Sequence, residues 1–506
     1  MVPAAFRNPR GSFFLIPLLL ITFTQTVQCS KNTNAISVPD ELQEMRELVL
    51  ELKASEELPS LAVGVARDGE IIWQEGFGQA DREKRVETTP NTMYSTASIS
   101  KPFTATAIKL LAERGEIDLD APANEYLTGA KLHSPVYDAD EVTVRMLLDH
   151  TGGLPLHYQF FYEDEEFERP SMAESINRYG VIVYEPGAHY QYANFGYGVL
   201  DEIIANASGM TYTEFMEQEV FEPLELSRTY VGIKPGLEND HAIRYGPDHQ
   251  PIPFYDFDHR GASAVYSSVK DLLRFGMFFT DDLPVDQQPI LSEQSRQIMK
   301  EPSSDSGSSS YGLGWLSRDH EAGLHEVWHT GSMGGVSTIL TMIPEENTVV
   351  TVLANMRHPA PARIARQILH ELYPDRADNP AESQSRSSGE GTPELPDNLT
   401  DRWEGQIITY ADTLRTEMEF LENGDIHLKI ENQPRTLLDN VRFDGKRISG
   451  HFQGSIGTED AERRPYLLQL DAVVGDDIIN GALIAISLPG ERLGNALSSY
   501  IEFVPE

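Results

Sequence analysis

Between residues 38 and 53 the apolar positions Leu42, Met45, Val49 and Leu52 recur every three to four residues, a spacing that predicts an amphipathic helix. The pattern then changes to strand-like runs at 61–66 and 71–76. They are joined by Arg67-Asp68-Gly69-Glu70, and Asp-Gly is a strong signal for a tight hairpin turn. A helical pattern over 98–114 stops at Gly115, a residue suited to end it. Helices are also expected over 143–149, 195–207 and 268–277, followed by strands over 336–342 and 348–354. A last helix is expected over 361–373, with Ile364, Ile368 and Leu372 in register. Strands therefore flank a helical middle, which predicts an α+β domain over 36–375 whose two ends meet in one sheet.

Over 376–398 the chain becomes polar and rich in Pro, Gly and Ser, and reads as a linker. From 399 to 506 short alternating runs follow at 406–410, 417–421, 426–430, 448–452, 467–473 and 482–486, punctuated by turns such as Asn423-Gly424 and Asp444-Gly445. This pattern predicts a small antiparallel β domain, a closed or nearly closed barrel. No repeat of fixed period is present.

Composition adds three constraints. With 79 acidic and 40 basic residues among 506, the formal charge is −39, which disfavours nucleic acids and anionic lipid surfaces as partners. The single cysteine excludes an intrachain disulfide and a cysteine-built zinc site. At the N-terminus Arg7 and Arg10 precede an apolar run over 13–23, and no acidic residue occurs before Asp40. This is the layout of a secretory signal over 1–28, too short in its apolar part to span a bilayer comfortably. A secreted or periplasmic protein is expected. Cys29 sits where the signal ends, so lipid acylation of Cys29, giving a membrane tether, is a second expectation, although Thr26-Val27-Gln28 departs from the usual lipobox.

Three short motifs carry candidate chemistry. In Ser98-Ile99-Ser100-Lys101-Pro102, residues three apart share a helix face, so Lys101 Nζ can approach Ser98 Oγ. Serine needs a base to act as a nucleophile, and a buried lysine that has lost its proton supplies one. A second match, Ser267-Ser268-Val269-Lys270, reads instead as a helix cap, with Ser268 and Asp271 three apart. In Tyr190-Gln191-Tyr192-Ala193-Asn194, Asn194 is expected to cap the helix beginning at Phe195, which places Tyr192 and Asn194 at a helix mouth. In Trp328-His329-Thr330-Gly331-Ser332-Met333-Gly334-Gly335, glycines just before the strand at 336 allow a ligand to approach the backbone. Each motif has a bland alternative on its own: a cap, an aromatic cluster, a structural histidine.

Taken together and in this order, the motifs resemble the serine penicillin-recognising enzymes, the family of class C β-lactamases, DD-peptidases and related esterases. The resemblance spans roughly 40–375 and includes the segment Leu147 to Pro155, the segment Gly261 to Phe275 and the run Tyr311-Gly312-Leu313-Gly314-Trp315. It implies a β-lactamase/transpeptidase-like fold, an antiparallel sheet flanked by helices with a helical subdomain. It also implies roles: Ser98 as the acylated nucleophile, Lys101 as its proton partner, and Tyr192 as general base and later acid. Asn194 would hold substrate and Lys101. His329, Thr330 and Gly331 would line the substrate site, and the backbone N–H groups of Ser98 and Ser332 would form the oxyanion hole. No cofactor and no metal are implied.

One position departs from the pattern. β-Lactamases and DD-peptidases carry Lys-Thr-Gly in the third motif, whereas this chain has His329-Thr330-Gly331. A largely neutral histidine weakens recognition of a substrate carboxylate. Histidine here is typical of family members that act as esterases or D-aminopeptidases. The expected activity is therefore hydrolysis of small esters, amides or peptides. A β-lactamase or DD-carboxypeptidase, and a slowly acylated receptor without turnover, are the alternatives. Asp256, Asp258 and His259 could sketch a metal site, but an acidic loop is the simpler account.

Overall fold

The structure, a computed structural model, describes residues 38–374, 399 and 401–506, apart from 238, 308, 321–322, 422 and 491. The expected signal segment with Cys29, and the expected linker at 376–398, lie outside the described residues.

The first sheet runs in the order Val86–Glu87, Glu70–Asp81, Ser60–Arg67, Thr348–Ala354, Val336–Ile343, His325–Met333, Leu316–Asp319, Ser310–Tyr311, Ser304–Asp305, with every neighbour antiparallel. Leu61 pairs with Ala354 and Arg67 with Thr348, so the two ends of this region meet in one sheet as expected. The Asp-Gly turn also forms as expected: Asp68 and Gly69 both have positive φ, the conformation that matches the twist of a two-residue hairpin.

Both faces of this sheet are covered. Leu61, Val63, Val65, Val350 and Val352 point to one side, against Val49 and Leu52 of the helix Gln43–Ser55 and Ile364 and Ile368 of the helix Ala360–Leu372. Ala62, Ala66, Leu340 and Leu353 point to the other, into the larger core that includes Leu272, Leu273 and Phe275 of the helix Val269–Met277. Each such large aliphatic side chain, fully buried, contributes roughly 1.5–3 kcal/mol. The helical middle packs on this second face, with Ser100–Glu113 at its centre and Asn194–Ser208 beside it.

The second large sheet follows the order Thr436–Leu437, Ile426–Ile430, Thr413–Phe420, Asp401–Ile408, Ala496–Pro505, Ile479–Ser487, Tyr466–Val474, Arg447–Phe452, Asp439–Phe443. Its two outermost strands are separated in sequence only by Leu438, so the sheet curls into a nearly closed barrel. Trp403, Ile407, Met418, Leu428, Leu470, Leu483 and Phe503 are buried in its core. The strands Asp439–Phe443 and Ala496–Pro505 were not expected from the sequence pattern. The first is largely exposed, and the second carries buried Ser498 and Ser499 within it.

The barrel-like sheet is tied to the helical region. Tyr158 and Ala496 exchange two backbone hydrogen bonds of 2.9 Å, and the Phe160 N–H donates to Asn495 Oδ1 at 3.0 Å. Both regions belong to one compact unit, Ile36–Glu506.

Candidate active site

Ser98 lies in a tight 3-10 turn, Ala97–Ile99, that leads into the helix Ser100–Glu113, so the α-helix starts two residues later than the pattern suggested. Ala97 has φ +48°, a left-handed conformation that costs a non-glycine residue about 1 kcal/mol or more. The turn is held by Ser100, whose Oγ donates to the Ala97 carbonyl at 2.7 Å and accepts from Val265 N–H at 3.0 Å. Thr96 N–H donates to the Val265 carbonyl at 2.9 Å.

Lys101 is fully buried, and burial drives its pKa well below the ordinary lysine value. Its Nζ lies 3.3 Å from Ser98 Oγ, 2.8 Å from Asn194 Oδ1 and 3.3 Å from the Ala262 carbonyl. A neutral amine has two N–H donors and one lone pair. The two carbonyl oxygens take the donors, which leaves the lone pair for the Ser98 hydroxyl proton. The Ala262 carbonyl sits in the short helix Arg260–Ser263, and Asp201 Oδ2 anchors that helix by accepting from Gly261 N–H at 2.9 Å. Burial raises the Asp201 carboxyl to about 7, against the opposing pull of that hydrogen bond and of Arg260.

Tyr192 and Asn194 come from the mouth of the helix Asn194–Ser208. The expected cap does not form. The cap position is Ala193, without a side-chain bond, and Asn194 is the first helical residue. Its amide oxygen is committed to Lys101 instead. The Tyr192 ring lies 4.7 Å from Lys101 Nζ, and Ser98 is the one side chain that favours ionisation of its phenol. Burial pushes the phenol well above its ordinary value, and Ser98 only partly offsets this.

The third motif is part of the strand His325–Met333 rather than a loop before a strand. This strand pairs with Val336–Ile343 throughout the motif, while pairing on its other side ends at Trp328. The edge beyond Trp328 packs on the Ser98 turn. A Cβ at Gly331 would lie 2.1 Å from the Thr96 carbonyl oxygen and 3.1 Å from Ala97 Cβ, so only glycine permits the approach. Thr330 and Ser332 are exposed, whereas His329 is buried. His329 Nδ1 lies 2.7 Å from the Thr330 carbonyl, and its Nε2 is 3.0 Å from the Tyr311 hydroxyl. These partners fix a neutral tautomer, with Nδ1–H donating and Nε2 accepting. Burial, reinforced by Lys101, lowers the His329 pKa to about 3 despite the bond to the Thr330 carbonyl. The hairpin that follows is supported by the two-stranded pair Phe160–Tyr162 and Tyr255–Phe257 and by the loop before Ala496–Pro505: Tyr255 Oη donates to the Gly334 carbonyl, Leu493 lies against Gly334, and Tyr162 Oη donates to the Leu493 carbonyl at 3.1 Å.

Ser98, Lys101, Tyr192 and Asn194 are thus joined by direct contacts, with Gly331 against the turn that carries Ser98. His329 is linked to the cluster by the influence of Lys101 on it, and Tyr311 joins it to Tyr190 and His150. The second serine–lysine match is a helix cap, since Ser268 Oγ accepts from Asp271 N–H at 3.1 Å. Asp258 is enclosed by His157 and His259, and Asp256 faces Arg169 and Arg260. Among the described residues no group of three or more His, Cys, Asp or Glu is arranged to hold a metal. Sequence reasoning did not single out His150, Tyr311 or the Ala262 carbonyl. All three lie inside segments quoted above, but nothing in their spacing marks them.

Comparisons agree with this geometry. The family model described as Beta-lactamase matches residues 45–373. Protein flp of Staphylococcus aureus (strain MRSA252) is 24% identical over 306 residues, which cover 59% of this chain and 60% of that protein. The chain therefore spans about 60% of the length of such curated relatives. Penicillin-binding protein 4* of Bacillus subtilis (strain 168) is 25% identical over 429 residues, 79% of this chain and 90% of that one. Among solved structures, the octameric penicillin-binding protein homologue from Pyrococcus abyssi matches with TM-score 0.57 and 24% identity, over 90% of this chain and 99% of that one. A class C beta-lactamase matches with TM-score 0.57 and 20% identity, over 66% of this chain and 96% of that one. The fold is shared with both. With the family match extending from the first helix to the last strand and helix of the first sheet, this chain belongs to the Beta-lactamase family.

Proposed function

We propose that this protein is an extracytoplasmic serine hydrolase that cleaves small esters, amides or peptides through an acyl-enzyme on Ser98. The observation that carries the reading is the buried Lys101 placed 3.3 Å from Ser98 Oγ with carbonyl oxygens at 2.8 and 3.3 Å to take its donors, in surroundings that favour its neutral form. In this scheme Lys101 takes the serine proton as Ser98 Oγ attacks the carbonyl carbon. In the same scheme Tyr192, its phenol raised by burial, keeps its proton at rest and serves as the acid, while Lys101 takes the part of first base that the resemblance gave to the tyrosine. Tyr192 passes a proton to the leaving group and draws its replacement from Lys101, whose Nζ lies 4.7 Å from its ring. Asn194 fixes Lys101. The Ser98 and Ser332 N–H groups hold the oxyanion, and water then releases the acyl group along the same proton path. The export signal over 1–28 and a tether through Cys29 belong to this proposal and rest on sequence pattern alone.

The similarity to Penicillin-binding protein 4* favours a second reading, hydrolysis or slow trapping of penicillin-like amides. The neutral His329 speaks against efficient turnover of that class, because no cation stands at that position to meet a substrate carboxylate. Steady-state turnover of p-nitrophenyl esters and of a chromogenic cephalosporin separates the two. Ester turnover with little cephalosporin hydrolysis supports the first reading; rapid cephalosporin hydrolysis supports the second. A stable cephalosporin adduct without turnover marks a receptor.

A further inference from the structure

His150 occupies an unusual place beside the cluster. Its backbone is left-handed, with φ +64°, and its side chain is buried. It touches the second motif at four successive residues, Tyr190 to Ala193. The His150 carbonyl accepts from Gln191 N–H at 2.7 Å, and its Nδ1 accepts from Ala193 N–H at 3.2 Å. Its ring lies 4.4 Å from the Tyr192 ring, centroid to centroid. The backbone N–H groups of the residues before and after Tyr192 are therefore held by one residue, which also packs on the tyrosine itself.

The ring's protonation state follows from the same contacts. Because Nδ1 accepts, the proton of the neutral imidazole sits on Nε2. That nitrogen is buried without a hydrogen-bond partner, and the rings of Tyr190, Tyr192, Tyr197 and Tyr311 all lie within 5.7 Å of the imidazole, centroid to centroid. Burial, Lys101 and His329 all oppose a charge on it. A charged ring would also lose the Nδ1 acceptor and release Ala193 N–H.

Resting on the serine-hydrolase reading above, we propose that His150 is a positioning residue for the proton transfer, clamping the backbone on either side of Tyr192 and fixing its ring against Lys101 and Ser98. It touches no reacting atom and acts through Tyr192. The left-handed backbone makes a clean test available. Glycine at 150 removes the ring without backbone strain and keeps the carbonyl clamp. Asparagine tolerates the same φ and places Oδ1 where Nδ1 now accepts.

The test compares His150→Gly and His150→Asn, each in the wild-type and the Tyr192→Phe backgrounds. Ester kinetics, the rate of fluorophosphonate labelling of Ser98 and thermal unfolding are read for each. His150→Gly is expected to lower kcat about tenfold or more with KM within about twofold, as expected for misplacement of a catalytic group. His150→Asn is expected to restore most of that loss. In the Tyr192→Phe background the glycine substitution is expected to change labelling by less than about twofold, since contacting residues that act as a unit are not additive. Full kcat in His150→Gly overturns the proposal, as does an equal loss in both backgrounds that follows a drop in unfolding temperature. An enzyme insensitive to His150 but still dependent on Ser98 overturns the proposal alone. Turnover that survives Ser98→Ala overturns the underlying reading as well.

Discussion

Lys101 Nζ lies 2.8 Å from Asn194 Oδ1, and this bond joins the helix that follows the serine turn to the helix mouth that carries the tyrosine. The asparagine that the sequence offers as a cap is spent on the lysine. The amine's other donor goes to the Ala262 carbonyl, so its remaining valence faces Ser98.

Lys101 is accordingly expected to be irreplaceable by another cation. Arginine stays protonated at any accessible pH and offers no lone pair. Both Lys101→Arg and Lys101→Met are expected to lower kcat/KM for an activated ester about a thousandfold or more, as loss of a base from a coupled catalytic set does. Stopped-flow measurement of acylation checks this. Substantial activity in Lys101→Arg contradicts it.

The pH profile follows from the same burial. Lys101 must be neutral to accept the serine proton, so kcat/KM is expected to rise as pH passes upward through its lowered pKa. It is expected to fall only at alkaline pH, when Tyr192, held above the ordinary phenol range, loses its proton. His329, at about 3, stays neutral across that range and contributes no inflection near 6.5. Stability shifts in the same sense. Between the folded and unfolded pKa of Lys101 the unfolded chain binds one proton more, so this residue makes stability increase with pH in that window. Ester hydrolysis and urea unfolding across pH read both effects, and an acid limb that survives in His329→Gln shows that His329 is not its source.

Gly331 and His329 set the other wall. Gly331→Ala puts a methyl group against the Thr96 carbonyl and is expected to displace the turn that carries Ser98, abolishing activity. His329→Ala leaves the buried Tyr311 hydroxyl without its acceptor and is expected to cost about 1–3 kcal/mol in chemical denaturation. A Gly331→Ala variant of normal activity contradicts the packing described for this edge.

The barrel-like sheet is tied to the helical region through a buried aspartate–histidine cluster. Asp258 Oδ2 lies 2.6 Å from His157 Nε2, and its other oxygen meets His259, while His157 Nδ1 faces Ser498 of the second sheet. Burial alone would raise the Asp258 carboxyl, but His157 and His259 outweigh it and hold the group below the usual carboxylate range. A depressed carboxylate contributes stability that is present above its unfolded pKa, about 3.9, and is lost as pH falls toward its folded value. Asp258→Ala is expected to cost about 3–5 kcal/mol near neutral pH, the loss typical of breaking a buried pair. Urea titrations at neutral and acid pH test both statements. A cost below about 1 kcal/mol contradicts them.

What was legible in the sequence is what depends on local spacing. Ser98 and Lys101 are three apart at a helix start, and Asp68-Gly69 specifies its turn wherever it falls. The alternating and 3.6-residue patterns also located most of the elements that now cover the first sheet. What was not legible depends on contacts distant in sequence. Asn194 reads as a cap until Lys101, 93 residues away, takes its oxygen. The strand His325–Met333 is hidden because Gly331 is demanded by the Thr96 turn rather than by strand propensity. Ser498 and Ser499 break the alternation of the strand Ala496–Pro505, and Ser498 is accounted for by His157 across the sheet contact. His150 shows no periodic signal, since its role comes from a left-handed backbone and from partners on another segment.

The most direct test of the account is intact-protein and peptide mass spectrometry of the protein quenched during turnover of a slow ester, beside Ser98→Ala. The account predicts a transient acyl adduct confined to the peptide containing Ser98, absent from the variant, which no longer turns over the ester. An adduct on another residue, or turnover that persists in Ser98→Ala, would contradict it.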